Sequence, residues 1–284
     1  VEGLAVIPAS TRRGAYGLVL PTIADQALLN DAPSHWVPWQ LGFRVAPDGD
    51  QPAETVGDDD ATIHVAPDGY ARIDRAAAST VISMRGEPSP HGEVHPYLGS
   101  TAIMAAQWSG RTSFHSGSFV LDGGVWAILG HREQGKSSTL AWLAREGYAI
   151  FADDLLVLDS DVALAGPRCL DLRQEAAERF GIGSDIGVVG TRRRWRVRLP
   201  AVAPVLPFRG WILLSWSDTV RVDTVPPSAR LTALLPSRAL LTTPTDARVW
   251  LNLVTSPMFV FGRPKAWDHL DSAMMALLDQ LAGV

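Results

Sequence analysis

The sequence predicts an α/β chain of the α+β kind, a mixed sheet built around a glycine-rich loop and preceded by a smaller strand-rich unit. Three observations carry this. First, the apolar run Val125-Trp126-Ala127-Ile128-Leu129 reads as a buried strand. It enters Gly130-His131-Arg132-Glu133-Gln134-Gly135-Lys136-Ser137-Ser138, and residues 138–145 then read as a helix with Leu140, Leu143 and Ala144 on one face. Second, residues 113–121 read as a strand that turns at Asp122-Gly123-Gly124, a favoured hairpin sequence, straight into the loop's own strand. Third, residues 148–152 read as the next strand, and residues 155–158 turn at Asp159-Ser160-Asp161 to return as 162–164. Hairpins on both sides of the loop strand predict a mixed sheet rather than a doubly wound parallel one.

The remaining elements follow in order. In residues 1–94, the N-terminal unit, strands are expected at 17–20, 41–45, 62–65 and 71–73, the last two around the hairpin sequence Pro67-Asp68-Gly69. Trp36 and Trp39 read as core. Asp58-Asp59-Asp60 reads as a solvated loop, because no further ligands stand at coordinating spacing. Residues 86–92, rich in Gly and Pro, read as the linker to a second unit, 95–284. There, 98–108 and 170–180 read as helices, 191–198 as a basic strand or loop, 210–216 and 258–261 as strands, and 243–253 as a helix. Residues 268–281 form an amphipathic helix with Leu270, Met274, Leu277, Leu278 and Leu281 on its apolar side.

Composition bounds the function. The chain has 284 residues, 46% of them hydrophobic, and a net charge of −5, which argues against a general nucleic-acid binder. A single cysteine, Cys169, excludes an intramolecular disulfide framework and fits a reducing cytoplasm. No apolar run is long enough to span a membrane, and residues 1–10 lack a signal-peptide layout, so neither membrane nor nucleic acid is an expected partner.

The chemistry begins in the loop. Gly, four residues, then Gly-Lys-Ser is the spacing of a phosphate cradle. Gly130 and Gly135 allow turn conformations closed to residues with a Cβ, so successive N–H groups can point at phosphate oxygens. Lys136 would reach the β- and γ-phosphates, the Ser137 hydroxyl would hold Mg²⁺, and the following helix adds its positive dipole end. The competing reading is an ordinary glycine turn. The strand–loop–helix context speaks against it, and so does lysine scarcity: the chain has two lysines, Lys136 and Lys265, against twenty-three arginines. Asp153-Asp154, at the end of the next strand, could divide the labour of holding Mg²⁺ and accepting a proton. His115 could support a carboxylate or a phosphate, or be structural. Arg192, Arg193 and Arg194 could bind phosphates or an acidic substrate; equally, Arg194, Arg196 and Arg198 alternate with Trp195 and Val197 as on a half-exposed strand. Lys265, in Pro264-Lys265-Ala266-Trp267, does not fit a guanine-reading motif, which sets GTPases aside.

Phe114-His115-Ser116-Gly117, the Asp-Gly-Gly turn, Gly130-x4-Gly-Lys-Ser and Ala152-Asp153-Asp154, in this order and spacing, resemble the catalytic domain of HPr kinase/phosphorylase, whose nucleotide-binding core is related to phosphoenolpyruvate carboxykinase. The resemblance covers about residues 95 to 265. It implies ATP and Mg²⁺ as cofactors and phosphorylation of a serine hydroxyl, with Asp153 as base, His115 assisting it and Asp154 near the metal. The chain departs from that pattern at residues 131–134, where the family usually has small residues, and at Ser138, where it usually has Glu. The family's docking segment and N-terminal unit have no recognisable counterpart. This fits a peptide-modifying relative, so a peptide or small-protein acceptor is expected, and a homo-oligomer is left open. The alternatives are a nucleotide-binding regulatory or scaffold module without transfer activity, and a kinase of a small metabolite.

Overall fold

The computed structural model describes residues 12–47, 49–65, 68–240 and 247–284. Among these residues the chain is a mixed α+β protein with four sheets. The largest has nine strands. Its centre is the twelve-residue strand Val205–Trp216, which pairs in parallel with Gly124–Leu129 on one side and with Met258–Arg263 on the other. Its first residues also pair antiparallel with Val162–Leu164. Gly124–Leu129 is buried along its whole length, as a strand covered on both faces must be. Its other neighbour is antiparallel Gly117–Leu121, joined through a two-residue turn in which Asp122 (φ 48°) and Gly123 (φ 72°) are both left-handed, the backbone that a tight hairpin requires. The second hairpin is also present, Leu156–Asp159 with Val162–Leu164. The sheet is therefore mixed, as expected.

Three expectations need correction. Residues 113–121 are two strands, Thr112–Phe114 and Gly117–Leu121, broken at His115 and Ser116 because each half pairs with a different neighbour. Residues 170–172 are not the start of a helix. Cys169–Leu172 is a strand paired with Arg192–Arg198, and the helix is only Gln174–Phe180. A cross-strand pair overrides the helical pattern there: Asp171 lies opposite Arg196 and takes both guanidinium arms at 2.7 Å. The strand expected at 210–216 begins five residues earlier, at Val205.

Two smaller sheets precede the large one. A four-stranded sheet holds Arg13–Ala15, Leu18–Val19, Asn30–Asp31 and Val37–Pro38. A five-stranded one runs, in spatial order, Gln40–Val45, Ser79–Met84, Gly69–Asp74, Asp60–Val65 and Thr55–Val56. Trp36 and Trp39 are buried, and Asp58 to Asp60 are exposed, as read from the sequence. Pro67, in the expected hairpin, and residues 243–246, at the expected start of a helix, lie outside the described residues; the helix is described over Ala247–Thr255. The helix Leu98–Trp108 buries Leu98, Ala102, Met104 and Ala106 in one core with Leu18, Leu41, Ile73 and Ile82 of the N-terminal sheets, Val157 of the large one and Leu155 just before its strand. No described helix is long and apolar enough to cross a membrane.

Candidate functional site

The loop 130–135 leaves the buried strand Gly124–Leu129 and enters the helix Lys136–Arg145 at Gly135. Gly135 sits at φ 87°, a conformation that strains any residue with a Cβ; a Cβ there would also lie 2.5 Å from the Arg263 guanidinium. The interior of the loop folds on itself. The His131 N–H donates to Gln134 Oε1 at 2.6 Å, and Gln134 lies so close to Gly130 that a Cβ at 130 would crowd it. The Lys136 ammonium donates to the Gly130 carbonyl. Burial lowers the Lys136 pKa, while Asp154 and Asp153 act to hold its proton.

A cavity of about 520 Å³ opens in front of this loop. His131, Arg132, Glu133, Gly135, Lys136, Ser137 and Ser138 line it, and so do Asp153, Asp154, Arg192, Arg193 and Arg194. Of the loop residues expected at a ligand, Gly130 and Gln134 stand behind the lining: they shape the turn rather than face the cavity. Eight Arg and Lys side chains line it against five carboxylates, in a chain whose net charge is −5. The acidic protein thus concentrates positive charge at one concavity, an arrangement that draws an anionic ligand.

Asp153 and Asp154 follow the short strand Ile150–Ala152, itself paired with Gly117–Leu121. Asp153 is half-buried and lines the cavity. Burial first, then the charges of Asp154 and Asp171, hold its carboxyl well above the usual carboxylate range, at about 8. The Asp171 N–H donates to its Oδ2 at 3.3 Å. Asp154 is exposed and held at φ 66°, a strained backbone for a residue with a side chain; such strain is maintained only where surrounding structure imposes it. The pair is thus split into a half-buried, proton-retaining carboxyl and a solvent-facing one.

The histidine beside this pair is His95. Its Nε2 is 3.8 Å from Asp154 Oδ2 and 2.8 Å from Arg194 Nη1. Because a guanidinium only donates, Nε2 is the acceptor and His95 is neutral; burial lowers its pKa in keeping with this. His115 is exposed and lines a second cavity that also reaches Asp153 and Asp154. Among the described residues no hydrogen bond or ion pair joins its ring to either carboxylate. Of the arginines, Arg194 faces the carboxylates, whereas Arg193 is paired with Asp185 at the surface. The solvated-face reading fails at Arg196, which is buried against Asp171.

The sequence reading missed three members of this site. His95 was legible only as a boundary next to Pro96. Asp171 was hidden inside a helical pattern. Arg263, at the end of the strand Met258–Arg263, is 5% exposed. Its guanidinium lies over the Trp216 ring at 4.7 Å, burial lowers its pKa to about 10, and Nε has no hydrogen-bond partner. No ion pair reaches it among the described residues. Its position at the tip of a strand parallel to Val205–Trp216 was the available signal.

No family model matches the sequence, and no curated protein matches it. Among solved structures, the HPr(Ser) kinase/phosphatase from Coxiella burnetii is a distant structural match, with a TM-score of 0.32 and 13% identity over 60% of this chain and 91% of that one. A TM-score of 0.32 is too low to show a shared fold, so the chemistry below rests on this chain's own residues.

Proposed function

We propose that this chain is an ATP- and Mg²⁺-dependent kinase that phosphorylates a hydroxyl, a serine in a peptide or small protein. The observation that carries the reading is that one cationic cavity is lined by residues 131–133 and 135–138 of the loop, Lys136 among them, and by the carboxylate pair Asp153 and Asp154. The residues suit a nucleotide triphosphate. The left-handed Gly135 opens the helix N-terminus, and the buried Arg263 brings a positive charge whose Nε lacks a partner. Ser137 and Asp154 supply the oxygen ligands that Mg²⁺ takes, and the ion when bound would offset phosphate charge.

Phosphoryl transfer depends mainly on positioning and charge neutralisation. Lys136 and the loop N–H groups would hold the β- and γ-phosphates, and Arg263 would face the same oxygens. Asp153 would accept the proton of the acceptor hydroxyl as its oxygen forms the new bond to the γ-phosphorus and the bond to the ADP oxygen breaks. Only the ionised form of Asp153 can act, and a carboxylate whose affinity for a proton is raised by burial is then the stronger base for that step. Neutral His95, accepting from Arg194, would hold that guanidinium beside the carboxylates. Trp216 and Trp267 provide aromatic walls for the base.

The test is transfer of the γ-phosphoryl group from labelled ATP to serine peptides. Lys136→Ala should abolish transfer and leave the circular dichroism spectrum unchanged; transfer that survives this change sinks the reading. Asp153→Asn should retain nucleotide binding and lose transfer, which separates a base from a metal ligand.

A further inference from the structure

We infer that the second cavity, about 600 Å³ and walled in part by the N-terminal sheet, is the acceptor site, and that it takes an extended peptide whose hydroxyl residue is flanked by apolar side chains. The inference rests on the phosphotransfer reading above.

The two cavities meet at one place. His95, Asp153, Asp154 and Arg194 line both. Everything else differs. Lys136, Ser137 and Arg263 line only the first. The second is walled by Val56, Ile63 and Val65 of the N-terminal sheet and by Val94, Ile103 and Leu155. Its charged groups among the described residues are Glu54 and Asp154 against one cation, Arg194, and Asp153 adds a charge only once its proton is lost. Such a wall repels phosphate and favours apolar groups, whereas the first cavity attracts phosphate. A transfer reaction needs a donor and an acceptor converging from different sides on one base, and the shared carboxylates are where the two cavities converge.

The form of the acceptor follows from the wall. A small polar metabolite would leave Val56, Ile63 and Val65 uncovered and would lack partners for its own hydroxyls. Thr55–Val56 is the edge strand of the five-stranded sheet: its inner side pairs with Asp60–Val65, and its outer side is paired with no described strand. Val56 is 41% exposed, a large apolar side chain at an open edge. An added strand would satisfy that edge and place alternate side chains against the apolar wall. Glu54 and the two aspartates disfavour acidic neighbours of the acceptor hydroxyl.

The experiment uses the full chain, Mg²⁺ and labelled ATP with three sets of short synthetic serine peptides, flanked by Leu and Val, by Gly, or by Asp. Free serine and glycerol serve as small-alcohol probes. Ile63→Asp and the more exposed Val56→Asp are compared with the parent, and binding of a fluorescent ATP analogue is measured alongside. The expected result is preferential labelling of the apolar-flanked peptides, with an acceptor KM raised about tenfold or more in either variant, while analogue binding is unchanged. Peptides labelled equally by parent and variants, a preference for acidic flanks, or labelling of free serine or glycerol as efficient as that of peptides would overturn the acceptor assignment and leave phosphotransfer standing. Analogue binding with no transfer to any probe would overturn both.

Discussion

Among the described residues no ion pair reaches Arg263, and burial makes its charge costly. The cost becomes useful if an anion arrives. Two opposite effects should follow from Arg263→Ala. The nucleotide-free protein should gain thermal stability, because an uncompensated buried charge is gone. Transfer should fall by about 10²–10³-fold in kcat, the usual loss for one preorganised donor. Arg263→Lys should not restore it, since an ammonium lacks the planar fork that lies over Trp216. A loss of stability with unchanged kcat would make Arg263 a packing residue only.

Asp153 gives a second test at this scale. Its carboxyl keeps its proton to about pH 8 in the fold, whereas an unfolded aspartate releases it near about 3.9. The folded state thus holds a proton that the unfolded chain has lost between these values. The stability this brings is complete below the unfolded pKa and fades as pH rises through the folded one. Asp153→Asn, neutral throughout, should melt above the parent at about pH 9, and the gain should shrink towards pH 4, at about 2–4 °C per kcal/mol. Melting curves in chelator across that range would check it; a constant offset would refute it.

At the scale of the element, the strands Cys169–Leu172 and Arg192–Arg198 carry two kinds of ion pair. Arg196 and Asp171 are buried and joined by two bonds at 2.7 Å, and Asp171 in turn donates its N–H to Asp153. Arg198, at the end of the same strand, meets Asp25 at the surface. Arg196→Ala leaves a buried carboxylate alone and should cost about 3–5 kcal/mol in urea unfolding. Arg198→Ala should cost no more than about 1 kcal/mol. These two arginines look alike in sequence, two positions apart on one strand. What separates them is which one lies opposite Asp171, and pairing register is not written in an alternation of charged and apolar residues.

Across the whole molecule, the helix Leu98–Trp108 ties the N-terminal sheets to the nine-stranded sheet through one core. We expect a single calorimetric transition for the full chain. A fragment beginning at residue 95 should expose the face of Leu98, Ala102 and Ala106, aggregate, and lose the wall of the second cavity. Two separate transitions, or a soluble fragment that phosphorylates peptides like the parent, would show that the units are independent. The division at residue 94 remains a proposal about chain organisation, while the shared core is a fact of packing.

What the sequence determined by itself is local. The loop, its buried strand and its helix are legible because glycine spacing and apolar periodicity act over a few residues. The hairpin at Asp122-Gly123 is legible because its turn chemistry is local too. Asp153 and Asp154 could be picked out by their place at a strand end. The tertiary structure decided the rest. It gave the position beside the carboxylates to His95, about twenty residues before His115. It also carried Arg263 from a distant strand to the Gly135 backbone, buried Arg196, and placed the N-terminal sheet on one cavity with Asp153 and Asp154. Each of these depends on which strands pair and in what register. That is fixed by burying side chains far apart in the chain, and no short window of residues contains it.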